Sequence, residues 1–529
     1  MIPGYCIRHR FTLVATILVL TTAAFQVAAA PSAAQNSGKQ IYLQGYSLNS
    51  GDITAVVGSE GVSLPASVVP CASCHGSDGL GRPEGGVQPP DIRWSELSKI
   101  YGHVHPDGRR HRAFSEVSLA RLLRTGLDPE NNQIDNSMPR YNMSKKDMDD
   151  LLAYLRFLEK DWDPGVNKDR IQIATLLPLQ GSRAGLGGAM AQVMLAYFNE
   201  VNKAGGVFGR KLELLAIPYA DTPQGTLNNL RSAFTNEDIF ALVGAYTVGL
   251  DEPVLELLHD EGAPLVGPFT LNPGDQFINS SIFYMYPGFT DQARVLVQQA
   301  LAADAEGGVR LALVGPAGDR IDQLIAALQQ QLPEGETAGS APLRYRQGEL
   351  DAAMLADSLQ KAASNAVLFL GNQSELETLL GALAERNLSP RIYLLSAFMP
   401  RPLFDAPAVF DKRIFLAYPT LSSDISAAGR TEYMRLADLH SLPRDHLQAQ
   451  VAGFAAAKLM VEGLRGAGRT LNRQKLEAAI EALYRYDTGL TPPLTYGPNR
   501  RIGARGAHIM VVDLVKKTNT AVGEWHEVR

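Results

Sequence analysis

Apolar residues follow two different rhythms along the chain, and the change falls near residue 160. Before it, apolar positions are scattered among glycine- and proline-rich loops, and only two helical stripes emerge. Ser118 to Arg124 reads as a short helix, followed by a turn from Thr125 to Pro129. Ser144 with Asp147 three positions on announces a second helix, in which Leu151, Leu152, Leu155 and Leu158 recur at helical spacing. Beyond residue 170 short apolar runs take over: Ile171 to Leu177, Leu212 to Ile217, Ile239 to Gly244, Pro264 to Gly267, Arg310 to Gly315, Ala366 to Gly371 and Ile392 to Leu395. Amphipathic stretches lie between most of them, such as Met190 to Asn202, Asp251 to Glu261 and Glu375 to Asn387. That alternation predicts parallel sheets covered by helices. A stretch running from 171 to 529 is too long for one doubly wound domain, so two lobes are expected.

The punctuation between these regions is also legible. Residues 1–34 have the layout of an export signal: Arg8 and Arg10, an apolar run from Phe11 to Phe25, then small residues around Ala28 to Ala34. Cleavage after Ala29 or Ala34 avoids leaving Pro31 at the new terminus, and an uncleaved membrane anchor is the rival reading. Residues 36–162 form the first domain, the polar segment 163–170 a linker, and 171–529 the second domain. With 45% apolar and 20% charged residues among 529, the composition is that of an ordinary soluble globular protein. A net charge of -6 argues against nucleic acid as the main partner.

Only three cysteines occur, Cys6, Cys71 and Cys74. Cys6 lies within the export segment, so processing leaves the pair in Cys71-Ala72-Ser73-Cys74-His75, which suits an oxidising compartment. Two thiols three positions apart, with an imidazole directly after the second, suit one covalently attached c-type haem held by Cys71 and Cys74, with His75 on the iron. A zinc site at this motif needs a second ligand pair, but the only other cysteine is Cys6, far away in the export signal. A thioredoxin-like motif belongs in a βαβ unit, whereas this one follows Pro65 and Pro70 and runs into a glycine-rich loop.

From Gly38 to about Lys160 the chain resembles a class I cytochrome c, an all-α fold. Beyond the pentapeptide, the resemblance rests on Asp78-Gly79-Leu80-Gly81-Arg82 and on Pro89-Pro90-Asp91. It implies that a proline carbonyl receives the ring N–H of His75. It also implies that Met138, in Ser137-Met138-Pro139, is the sixth iron ligand; Met143 and Met148 are rivals, though Met148 should lie on the closing helix. His103, His105 and His111 occupy a basic insertion. It reads as plain polar surface, as bis-histidine ligation, as a metal site or as a docking patch for an acidic redox partner.

The second domain resembles the type I periplasmic solute-binding proteins, in particular the branched-chain amino-acid group of ABC-transporter substrate-binding proteins. The match is carried by Leu177-Pro178-Leu179-Gln180-Gly181, the segment Phe198 to Leu212, Ala241 to Thr247, Ala263 to Thr270 and Phe283 to Pro287. The resemblance implies a two-lobed α/β domain that closes on a ligand. It places Thr247 and Thr270, with the backbone amides near Ala245, Tyr246 and Phe269, at a subsite for a ligand carboxylate. Relatives that bind amino acids present an aromatic residue after the first strand of the second lobe, which Gly315 to Asp319 lacks, and a carboxylate after a later strand, which Ser396 to Met399 lacks, with Asp319 and Asp405 as the acids that could reach instead. Amino-acid transport is therefore in doubt, and a small carboxylate or neutral organic ligand is expected.

Together these readings describe a periplasmic haem protein that transfers single electrons and binds a small organic ligand or recruits a redox partner, a dehydrogenase or another cytochrome. The alternative is a receptor, or a protein feeding an ABC permease, whose haem is a sensor or structural appendage. No nucleophile, base and orienting acid stand out as a catalytic set.

Overall fold

The computed structural model describes residues 31–49, 52–83, 86–105, 108–270, 273, 281–302, 308–330, 332 and 341–528, in two units, Met1–Asp161 and Trp162–Arg529. Cys6 and the expected export signal up to Ala30 lie outside the described residues. In the first unit, the helix Ala33–Gln44 starts from a capping box in which Ser32 and Gln35 satisfy each other's backbone N–H groups. A cut after Ala34 would delete that cap, whereas a cut after Ala29 would retain it. The helix packs on the closing helix Lys145–Phe157, and Gly38 permits the approach, for a Cβ there would lie 2.0 Å from the Asp150 carbonyl oxygen. The Ser144 hydroxyl accepts from the Asp147 N–H at 3.1 Å. Asp147, itself buried, accepts in return from the Ser144 hydroxyl at 2.6 Å and from Asn49 at 3.0 Å, so its charge is satisfied inside the core.

The third main helix, Glu116–Thr125, is capped by Ser115 and buries Leu119, Leu122 and Leu123 against the closing helix's leucines. To this helical frame the structure adds short β elements that periodicity does not reveal, since none exceeds four residues. Thr54–Val57 pairs with Val62–Pro65 and with Arg140–Asn142, both antiparallel. His103–Val104 and Arg110–His111 form a separate two-stranded ribbon.

In the second unit the first lobe is built on five parallel strands. Their order across the sheet is Ile282–Phe283, Leu265–Val266, Ala241–Val243, Arg170–Leu177, Lys211–Pro218. The chain thus leaves Arg170–Leu177 to one side and returns on the other, and this switch creates a crevice at the carboxyl ends of Arg170–Leu177 and Ala241–Val243. Ala184–Lys203, Leu447–Ala467 and Arg473–Glu481 cover one face with a continuous apolar core. The segment 163–170 is part of this lobe and does not hang free. Gln172 N–H donates to the Gly165 carbonyl at 2.8 Å, and the Asp163 carboxylate caps Arg473 N–H at 2.6 Å.

The second lobe has the same plan with a different ending. Leu343–Tyr345, Leu311–Pro316, Ala366–Phe369, Arg391–Leu395 and Ile414–Tyr418 run parallel, and the switch point lies between Leu311–Pro316 and Ala366–Phe369. Gly506–Asp513 then enters antiparallel to Ile414–Tyr418, and Thr518–Ala521 follows antiparallel to it, so this sheet is mixed where a parallel one was expected.

Three crossings join the lobes, at 284–288, 419–426 and 503–505. Two of them are bonded side by side: Tyr284 N–H donates to the Arg501 carbonyl and Gly503 N–H to the Tyr284 carbonyl, each at 2.8 Å. Arg505 clamps the fully buried Asp291 through both carboxylate oxygens, at 3.1 and 2.8 Å. On the third crossing, burial pushes the Asp424 carboxyl upward. Hydrogen bonds from His508 at 2.6 Å, from Leu421 N–H and from Thr420 outweigh it and hold the group below the usual carboxylate range.

Candidate functional sites

The pentapeptide folds as one short helix, Cys71–His75, entered from Pro70 and left through Gly76. Both cysteines are free thiols, Cys74 exposed and Cys71 half-buried, with no disulfide between them. Burial pushes the Cys71 thiol up to about 11, although the Tyr141 hydroxyl bonded to it pulls the other way. A thiol held that high lacks the acidity of a catalytic redox cysteine. The Tyr141 hydroxyl shares its single proton with the Val69 carbonyl at 2.7 Å, tying the strand Arg140–Asn142 to the entrance of the helix.

His75 is only 7% exposed, and its Nδ1 donates to the Pro90 carbonyl at 3.1 Å. The sequence resemblance implied this bond. It fixes the tautomer with a lone pair on Nε2, the nitrogen available to a metal. Burial lowers the ring's proton affinity, against the opposing effects of Pro90 and Asp91, which favours the neutral ligand form.

The proline comes into reach because the loop after the helix folds back on it. Gly81 N–H bonds the His75 carbonyl at 2.9 Å and Arg82 N–H the Cys74 carbonyl at 2.8 Å. Gly81 itself has φ 86, and a Cβ there would lie 2.0 Å from the Pro89 carbonyl oxygen, so both its conformation and its neighbour exclude a side chain. Tyr42, from the first helix, donates to the Gly76 carbonyl at 2.6 Å and pins the loop from the other side. Two free thiols, a fixed neutral imidazole and an apolar surround form a donor set that fits a covalently held haem.

Met138 sits in the turn before Arg140–Asn142, half-buried against the core cluster on which Cys71 and Ala72 also pack. Arg140 donates to its carbonyl and, at 3.0 Å, to that of Ile134, which shapes the turn. Met143 and Met148 are buried in the same cluster at 9% and 2% exposure, Met148 within the closing helix.

In the second unit the five residues expected to meet a ligand do gather at the switch-point crevice. Three backbone amides there, however, are already engaged. Tyr246 N–H donates to the Leu176 carbonyl at 2.7 Å, Thr247 N–H to Phe269 at 3.1 Å and Phe269 N–H to Ala245 at 2.8 Å. Ala245, Tyr246 and Thr247 are buried, at 0%, 5% and 1% exposure. The Thr247 hydroxyl donates to the Asp251 carboxylate at 2.6 Å, and Thr270 bonds the same carboxylate.

Asp251, which sequence reasoning passed over, therefore occupies the centre of this crevice. Burial raises its proton affinity, while the two threonine hydroxyls and the charge of Arg320 on the other lobe lower it; burial prevails. The Thr247-to-Asp251 spacing of four, at the start of Asp251–Asp260, was the available signal. Arg183 lies 5.8 Å over the Tyr246 ring, which stacks on Phe269 with centroids 5.9 Å apart and meets Tyr219 edge-on. The crevice is thus aromatic, with Arg183 over one ring and the charge of Arg320 acting from the second lobe on the engaged carboxylate. Asp405, a second-lobe acid considered from sequence, is 95% exposed on its side chain and pairs with Lys517.

Comparison with known proteins accounts for both units. A family model described as periplasmic binding protein matches residues 170–519, and one described as cytochrome c matches residues 68–159. A search of curated proteins found no match. Among solved structures, one described as a branched-chain amino acid ABC transporter from Rhodospirillum rubrum is similar at 17% identity and TM-score 0.51, over 67% of this chain and 100% of its own. An ABC transporter substrate-binding protein from Aeropyrum pernix is similar at 16% identity and TM-score 0.51, over 68% and 96%. At these identities the likeness shows the fold. Among the described residues no helix is long and apolar enough to cross a membrane.

Proposed function

The chain belongs to the periplasmic binding protein family, with a cytochrome c domain ahead of that fold, and from this premise we propose that it is an exported one-electron carrier whose second domain binds a small organic acid. The observation that carries the redox reading is the bond from His75 Nδ1 to the Pro90 carbonyl, with two unpaired thiols on the same helix. When bound, the haem supplies reversible one-electron chemistry at its iron. The protein's part is then to hold it through Cys71 and Cys74, to ligate the iron through His75 Nε2 and the Met138 thioether, and to keep water from the apolar surround. Electrons come from, or go to, a periplasmic dehydrogenase or another cytochrome.

The crevice supplies the ligand reading. With the amides engaged and both threonine hydroxyls committed to Asp251, Arg183 and Arg320 are the donors suited to a ligand carboxylate. An ammonium group placed there would have to compete for a carboxylate that already has partners, beside two like charges. In full-length protein studied by calorimetry, 2-hydroxy-4-methylpentanoate should bind at least about tenfold more tightly than leucine, a difference of roughly 1.4 kcal/mol. Tighter binding of leucine would mean that Asp251 recognises an ammonium and would overturn this assignment. A second reading, a receptor or permease-feeding protein with the haem as sensor, is favoured by one feature: Asp251 and Arg320 attract each other from opposite lobes, which suits closure around a ligand.

A further inference from the structure

The histidines of the ribbon in the first unit are used by neither the haem pocket nor the crevice. His103 and His111 are paired directly across the two strands, and His105 N–H closes the hairpin on the Arg109 carbonyl at 2.9 Å. The His105 and His111 Nε2 atoms stand 2.9 Å apart, with ring centroids 5.0 Å apart. The His103 ring is the third neighbour, 5.2 Å from His111 and 6.1 Å from His105.

We propose that His105 and His111 chelate a divalent transition-metal ion through their Nε2 atoms, with His103 alongside as a third imidazole. The hydrogen bonds on the far side of the rings support this. His111 Nδ1 donates to the Arg112 carbonyl at 2.8 Å, which leaves the lone pair of the neutral ring on Nε2. His103 Nε2 donates to the Glu96 carbonyl at 2.7 Å, so its Nδ1 is the lone-pair nitrogen. A backbone carbonyl on the opposite ring nitrogen is how metal-ligating histidines are oriented.

The spacing agrees as well. Two imidazoles ligating at 2.0–2.1 Å in a tetrahedral shell place their nitrogens about 3.3 Å apart, a few tenths of an ångström beyond the present separation. His111 is rigidly seated, 6% exposed with Phe114 edge-on at 4.8 Å. Of the neighbouring positive charges, Arg109 is offset by Asp128 at 3.1 Å and Arg112 by Glu130 at 2.8 Å, while Arg110 is exposed to solvent.

In the metal-free state the His105 Nε2 proton bridges to His111. On binding, the neutral His105 carries that proton on Nδ1 and both Nε2 lone pairs face the ion. Among the described residues no three such donors already converge on one point. Water therefore completes the shell, or His103 does after a ring rotation, giving an open and exchangeable site. An all-imidazole set selects zinc, copper or nickel over calcium or magnesium.

The test uses untagged full-length protein stripped with a chelator, titrated with Zn²⁺ by calorimetry and with Cu²⁺ by electron paramagnetic resonance. One equivalent should bind, with nitrogen hyperfine structure from at least two imidazoles in the copper spectrum. His105→Gln should weaken Zn²⁺ at least tenfold, whereas His259→Gln, on an exposed helix position, should leave it unchanged. Because His111 is buried and its replacement can unfold the unit, the half-buried His105 carries the test, with a thermal melt confirming that the variant is folded. No stoichiometric binding, or affinity untouched by His105→Gln in a folded protein, overturns the proposal.

Discussion

Replacing Cys71 and Cys74 together by serine is expected to yield protein with no covalently attached haem and an intact second unit. The first half follows from chemistry: the attachment bonds form at sulfur, and these are the two cysteines that remain beyond the export segment. The second half follows from construction. Residues of the 162–529 unit bury their own cores in each lobe, and three bonded crossings hold those lobes together. The variant should therefore lose the haem absorption bands entirely while keeping its crevice ligand affinity within about twofold, a change of roughly 0.4 kcal/mol. Haem that resists acid-organic extraction from the double variant would refute the attachment. Loss of ligand binding together with haem would mean that the two units do not fold independently.

Met138→Ala carries the next largest effect. A thioether on the iron favours the ferrous state, so its loss should abolish the sulfur-to-iron absorption band. The reduction potential should fall on the order of 0.1 V or more, a modest part of the roughly 0.8 V range that axial ligands control. Met143→Ala serves as the comparison: at 9% exposure in the core, that change should cost roughly 2–5 kcal/mol of stability with the spectrum kept. If the two variants exchange phenotypes, Met143 is the ligand.

Much of this architecture was legible because the signals are local. Each apolar run named from sequence in the second domain coincides with a strand, from Arg170–Leu177 to Arg391–Leu395, since a strand buried on both faces must be continuously apolar. Ser144 with Asp147 marked the closing helix for an equally local reason. What escaped depends on partners distant in sequence. Gly506–Asp513 pairs antiparallel with a strand almost a hundred positions earlier, and nothing within it declares its direction. The short strands Thr54–Val57 and Arg140–Asn142 are defined by each other.

The candidate haem site was legible for the same local reason, with Cys71, Cys74 and His75 on one turn and Pro90 fifteen residues on. The crevice was legible only in position. Thr247 and Thr270 lie at neighbouring strand ends, and their shared partner Asp251 emerges only once those ends are brought side by side. That carboxylate is why the proposed ligand site draws its positive charge from Arg183 and Arg320 and not from hydroxyls and amides.

The most direct test of the account is a potentiometric titration of the purified full-length protein, followed at the haem absorption bands, with and without saturating crevice ligand. The account predicts one reversible one-electron wave. It also predicts that a ligand-induced change in midpoint is matched by the same coupling free energy in the ratio of ligand affinities of the two oxidation states, as linkage requires. Absence of any reducible haem chromophore in protein exported by its native host would contradict it.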